Sequence, residues 1–161
     1  MKNYLLFVFI FICSLPSVHA QTAAEMDALL ETNAVSVATA ARFAMGSIGL
    51  LPPELSGAVA ETAAYEDALS RGWVNGGPQD AISLQETAFL IMSAFDLKGG
   101  IMYSLLRSPR YAYREMIYRK LIQGRSNSNM NVTGARFLQI LGRSLNYAGE
   151  REQMDELLSN E

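Results

Sequence analysis

Side chains able to act as nucleophile, metal ligand or proton shuttle are scarce in this chain, and their positions decide what they can do. The single cysteine is Cys13 and the single histidine is His19. Both fall in residues 1–20, which read as a secretory signal peptide. Lys2 gives the positive start, and Tyr4 to Ser14 is an almost unbroken apolar run. Val18 and Ala20 supply the small-residue cleavage site before Gln21. The run is shorter than the roughly 20 apolar residues that a transmembrane helix needs. Ile10 and Ile12 ahead of Cys13 do not make a lipobox. The expectation is an exported protein, periplasmic or associated with the cell envelope, whose mature chain has neither thiol nor imidazole. Such an inventory excludes Cys–His pairs, Ser-His-Asp triads and zinc sites built from His or Cys, so no metal or cofactor is expected.

Carboxylate chemistry is what remains for catalysis. Glu86, or Glu66 with Asp67, would serve a glycan-cleaving enzyme, because two carboxyls at a suitable separation suffice. Each has a structural alternative. Glu86 follows Ser83 at the spacing of a capping box. Glu66-Asp67 is replaced by Arg114-Glu115 in a second copy of the surrounding pattern, as expected of a solvated helix face. Lys98-Gly99-Gly100 is a turn signal and not a phosphate-cradling loop. The balance falls against an enzyme.

Binding chemistry is better represented. Gln21 to Leu97 carries two arginines against ten acids, a balance of −8, whereas Lys98 to Leu145 carries nine bases against Glu115 alone, a balance of +8. Tyr103, Tyr111, Tyr113 and Tyr118 lie among those bases. On a helix from Pro109 to Leu121, Ala112, Tyr113, Met116 and Ile117 share one face, and Tyr111, Arg114 and Tyr118 share the opposite one. Arginine forks grip carboxylates and phosphates, and tyrosine offers a flat amphipathic surface. Arg107, Arg110, Tyr111, Arg114 and Tyr118 are therefore the candidate binding surface. The competing expectation is internal pairing of these bases with Glu61, Glu66 and Asp67. Nucleic acid is not expected as a partner, since the basic segment has no reading motif. Trp73 reads as a turn-packing anchor, and the methionines read as core filler.

The elements that must position these residues are helical. Val35 to Ala41, Ile82 to Ala88 and Val132 to Leu138 align without gaps. Each has an apolar residue, a Ser or Thr at the N-cap, then apolar residues at helical spacing. In front of the last two lies a second recurring piece. Ala64 to Leu69 leads to Gly72–Gly76, and Ala112 to Ile117 leads to Lys120–Gly124, with Gly76 and Gly124 where a turn wants positive φ. Met26 to Leu30 reads as the first helix of a truncated opening unit. The unit is helix, loop, capped helix, at a period of roughly 50 residues. Pro52-Pro53, Gly76-Gly77-Pro78, Gly99-Gly100, Ser108-Pro109 and Ser126 to Asn129 punctuate the helices. No later stretch is apolar enough to span a membrane. The fold expected is all-α, about six helices in two full units and one truncated, with a short seventh from Glu150 to Leu158. The domain is expected over residues 21–148 and an acidic tail over 149–161.

At these residues the chain resembles S-layer homology repeats. The turn of that family is matched by Gly72–Gly76 and Lys120–Gly124. Its Ile-Thr-Arg-Ala-Glu-Phe type helix start is matched by Ile82–Ala88, Val132–Leu138 and, more weakly, Val35–Ala41. The resemblance implies an extracytoplasmic fold of packed units that holds proteins to a cell-wall polymer. This chain departs from the pattern where the family contacts its ligand. The Arg slots hold Val37, Leu84 and Gly134, and the Glu slots hold Thr39, Glu86 and Arg136. The function expected is a non-catalytic envelope-binding module whose partner is cell-wall polysaccharide or another envelope protein. The alternatives are a periplasmic protein–protein adaptor and, at low weight, the carboxylate glycan-cleaving enzyme.

Overall fold

The computed structural model describes residues 18–159, and those residues form seven α-helices. They are α1 (Val18–Leu30), α2 (Val37–Gly46), α3 (Gly57–Ser70), α4 (Leu84–Ala94), α5 (Ile101–Leu105), α6 (Pro109–Tyr118) and α7 (Gly134–Ser159). The all-α expectation holds. Most of the expected signal peptide, with Cys13, lies outside the described residues.

Helix starts sit where side-chain chemistry puts them. The Thr39 N–H donates to Ser36 Oγ at 3.2 Å, and the Glu86 N–H donates to Ser83 Oγ at 3.4 Å. The Glu86 carboxylate accepts the Ser83 N–H at 2.9 Å, which completes the expected capping box. At the start of α7 the Arg136 N–H donates to Thr133 Oγ1 at 3.4 Å. Replacing Ser83 by alanine should lower stability by about 1 kcal/mol, read from urea unfolding midpoints.

Just before these caps the backbone is extended, and three extended pieces bond to one another in a closed circuit. The Ile82 N–H donates to the Val35 carbonyl (2.9 Å), the Val132 N–H to the Ile82 carbonyl (3.2 Å), and the Val35 N–H to the Val132 carbonyl (2.8 Å). All three side chains are fully buried. The ring lets polar backbone pass through the centre of the core with its hydrogen bonds satisfied. Flanking bonds tighten it: Val37 N–H to Asp80 O, Leu84 N–H to Met130 O, and Gly134 N–H to Thr32 O.

Around this ring the helices pair. α2 packs on α3, α4 on α6, and α7 on α1. Ala60, Ala64 and Ala68 make a buried ridge at i, i+4 and i+8 on α3, so small side chains admit α2 closely. Phe137, Met45, Leu90, Ile91 and Met116 fill the centre.

Three local expectations need correction. α6 stops at Tyr118 and not at Leu121, because Lys120 takes a left-handed conformation (φ +59°), as Gly72 does after α3 (φ +70°). Leu121 and Ile122 are then buried by the turn, and Ile117 is left exposed. The acidic tail is not a separate helix, since α7 runs unbroken to Ser159. Residues 101–105 form a short helix that the turn signals did not announce. Gly76 and Gly124 do adopt the expected positive φ, +85° and +80°. No helix among the described residues is long and apolar enough to cross a membrane.

Candidate binding face

α6 is oriented by the side chains it buries. Ala112 and Met116, one turn apart, are fully buried, and α6 packs against α4. Tyr111, Arg114 and Tyr118 are thereby set on the other side of the helix. They line a hollow of about 320 Å³ whose opposite wall is Gly100 to Tyr103. Tyr111 is half-buried against the core, Arg114 is exposed, and Tyr118 is 83 % exposed. Tyr103 is buried, and burial pushes its phenol pKa above the usual value, against a smaller opposing pull from its hydrogen bond to Ser93. It therefore adds no negative charge beside Arg114 near neutral pH.

Glu115 also borders the hollow, but its carboxylate is engaged. Arg119 Nε donates to Glu115 Oε1 at 2.7 Å, and Arg119 donates to the Lys98 carbonyl at 2.6 Å. Its guanidinium also bonds the Tyr147 hydroxyl and lies 5.0 Å from the centre of that ring. Arg119 is thus a structural cation that joins α6, the 98–100 turn and α7. Arg136 and Arg143 likewise spend hydrogen bonds on the carbonyls of Gln123 and Leu121.

The five candidate residues divide into two groups. Tyr111, Arg114 and Tyr118 come together on the hollow, while Arg107 and Arg110 stand outside its lining. Arg107 lies 4.0 Å from Asp96, both well exposed, a geometry worth little in water. Arg110 and Arg114 are exposed, and neither makes an ion pair among the described residues. Glu61 is bonded instead by the Thr39 hydroxyl at 2.9 Å, and Asp67 by Arg71 at 2.9 Å.

The catalytic candidates are otherwise engaged or apart. Glu86 serves the cap of α4, Asp67 is paired within α3, and Glu66 is exposed. No three His, Cys, Asp or Glu side chains converge among the described residues. Trp73 packs against the core with Arg71 over its ring at 4.9 Å, in the turn after α3.

Two features escaped the sequence reading. Ile101, Met102, Leu105 and Leu106 are exposed beside the hollow, with Ile101 at 85 %. Their signal was present as an apolar cluster between Gly100 and Arg107, but no periodicity that short tells buried from exposed. The second is the surroundings of Val37, Leu84 and Gly134, the positions expected above to fall on the Arg slots of S-layer homology repeats. Val37 and Leu84 are buried, and Gly134 lies against the backbone of Leu29. Side chains there face the core, so a charged residue would be out of place. Compared with protein-family models, curated proteins and solved structures, the chain matches none.

Proposed function

We propose that this chain is a non-catalytic, exported binding module of the cell envelope, with the hollow at Arg114 gripping an anionic stretch of cell-wall polysaccharide. The observation that carries the reading is an arginine without an ion pair, set between Tyr111 and Tyr118 on a concave surface. Sugars stack on aromatic faces, and a guanidinium takes a carboxylate or phosphate in a two-pronged grip. Arg107 and Arg110 extend the positive field beyond the hollow and would draw a polyanion toward it.

The repeat resemblance supports the same reading. Three aligned helix starts carry Ser36, Ser83 and Thr133 bonded to the backbone one turn on. The ring of Val35, Ile82 and Val132 lies at their common centre, as packed S-layer-homology-like units would require. On this reading the ligand contact has moved from the family's Arg slots to the outer face of α6.

Retention on purified cell-wall sacculi tests the proposal. The protein should be retained, and Arg110→Ala with Arg114→Ala should weaken retention by about tenfold or more, since a hydrogen bond to a charged group is worth about 1.5–3 kcal/mol. No retention, with recovery of one specific envelope protein, would establish the adaptor in its place. Release of muropeptides that is abolished by Glu86→Gln would overturn the non-catalytic reading.

A further inference from the structure

The last turns of α7 present an apolar stripe that no described residue covers. The part of α7 that builds the core is Gly134 to Ser144. Every residue from Glu152 to Ser159 is exposed, yet Met154, Leu157 and Leu158 occupy one face at i, i+3 and i+4, with Leu157 71 % exposed. Glu150 lies beside that stripe on one edge and Arg151 on the other, Asp155 follows beyond Arg151, and Glu152 and Glu156 lie further round. This end of the helix thus carries four acids against one base. The side of the helix bearing Ala148, Glu152 and Asp155 looks across a hollow of about 560 Å³ toward Phe95–Lys98, so the stripe is turned elsewhere.

A second exposed apolar surface has the opposite charge. Ile101, Met102, Leu105 and Leu106 are exposed on α5 and its end, and the first two line the hollow with Tyr118. Arg114 lines the hollow with Ile101 and Met102, Arg107 follows Leu106 directly in the chain, and Arg110 is exposed in the first turn of α6. Among the described residues, two apolar surfaces, one at an acidic end and one beside bases, are left uncovered. α7 is a continuous helix, so its stripe cannot fold back on α5 of the same chain without breaking.

We infer that the acidic end of α7 docks on the basic α5–α6 ridge of a second copy of this chain. Met154, Leu157 and Leu158 seat against Ile101, Leu105 and Leu106, and the flanking acids meet Arg110 and Arg114. This is the helix-on-groove mode of recognition, with a few apolar anchors and a charged rim that sets orientation. Because the two surfaces differ, the contact is head-to-tail, and each copy keeps one free end, so association continues along an open chain. An anionic membrane would cover the basic ridge alone and leave the α7 stripe bare. A second copy covers both. The contact borrows the rim of the face proposed for polysaccharide but requires no glycan.

A charge-swap measured by analytical ultracentrifugation in glycan-free buffer tests it, on protein purified after export. So small an interface predicts dissociation at tens of micromolar, so the average mass should rise from little above one chain near about 10 µM to well beyond twofold near about 500 µM, as an open chain requires, and fall back in high salt. Arg110→Glu with Arg114→Glu should stay monomeric, and so should Glu150→Lys with Asp155→Lys. Mixed one to one, the two variants should associate again, since each then offers the charge the other lacks. Leu157→Ser with Leu158→Ser, at exposed positions that leave the core intact, should also stay monomeric. A wild-type mass that does not change with concentration overturns the inference. So does association that the charge variants leave unaltered. Sedimentation of a monomeric wild type with phosphatidylglycerol vesicles, lost in the arginine variant, would assign the ridge to a membrane and overturn it equally. Failure of sacculus retention leaves these masses unaffected, so the two proposals fail separately.

Discussion

Gly134→Ala should unfold the domain or lower its midpoint by about 10–20 °C, a loss of 3 kcal/mol or more. A methyl group added at Gly134 would lie 1.5 Å from the Leu29 carbonyl oxygen and 2.5 Å from its carbon. Those atoms are backbone at the end of α1 and cannot swing away as a side chain can. Either α1 retreats or the bond from the Gly134 N–H to the Thr32 carbonyl (2.8 Å) is lost. The control lies on the same helix. Gly142 has no neighbouring atom within 4 Å of such a methyl, so Gly142→Ala should stabilise by about 0.5–1 kcal/mol through helix propensity alone. Thermal melts of the two variants should move in opposite directions. Equal and small shifts would mean that α1 does not press on α7 as described.

Arg119→Met is expected to be the next most damaging change, at about 2–4 kcal/mol. Its side chain is 15 % exposed and that of Glu115 is 16 %, so removing the cation leaves a carboxylate largely out of water without a partner. The Lys98 carbonyl and the Tyr147 hydroxyl lose a donor at the same time. Arg119→Lys should recover only part of the loss, because one ammonium cannot reproduce the planar fork that serves three partners. Combining Arg119→Met with Glu115→Gln should be less damaging than Arg119→Met alone, since the uncompensated charge is gone. Chemical unfolding of the three variants reads this directly. The 98–100 turn leads into the wall of the hollow that begins at Gly100, so Arg119→Met should also weaken sacculus retention although it touches no ligand.

Much of the fold was legible because its signals are local. Ser83 with Glu86, Ser108 with Pro109, and the Ser or Thr before each apolar run are short-range chemistry that fixes where helices start. Gly76 and Gly124 likewise need only their own backbone to be understood. The end of α6 was misjudged because Lys120 is forced into a conformation favoured by glycine, and only the burial of Leu121 and Ile122 explains why the chain accepts it. The face of Tyr111, Arg114 and Tyr118 followed from helical spacing. The wall opposite it did not, since α5 is held by tertiary contacts and not by its own five residues. Gly134 is the clearest case: in the fold it is the point where α1 and α7 meet, a closeness that no local pattern around it announces.

The ring of Val35, Ile82 and Val132 has a further consequence for when folding can happen. Its circuit joins positions near the beginning, middle and end of the domain, and α1 finds its partner only in α7. The α2–α3 and α4–α6 pairs each lie within a continuous stretch that precedes the last helix. The ring cannot close, nor α1 find its partner, until Val132 and α7 are present, so part of the ordering entropy is lost before the central circuit forms. A polypeptide emerging one end first would keep that ring open until nearly all of it had been made. Closure of the centre therefore waits for α7, even where the outer helix pairs have already formed.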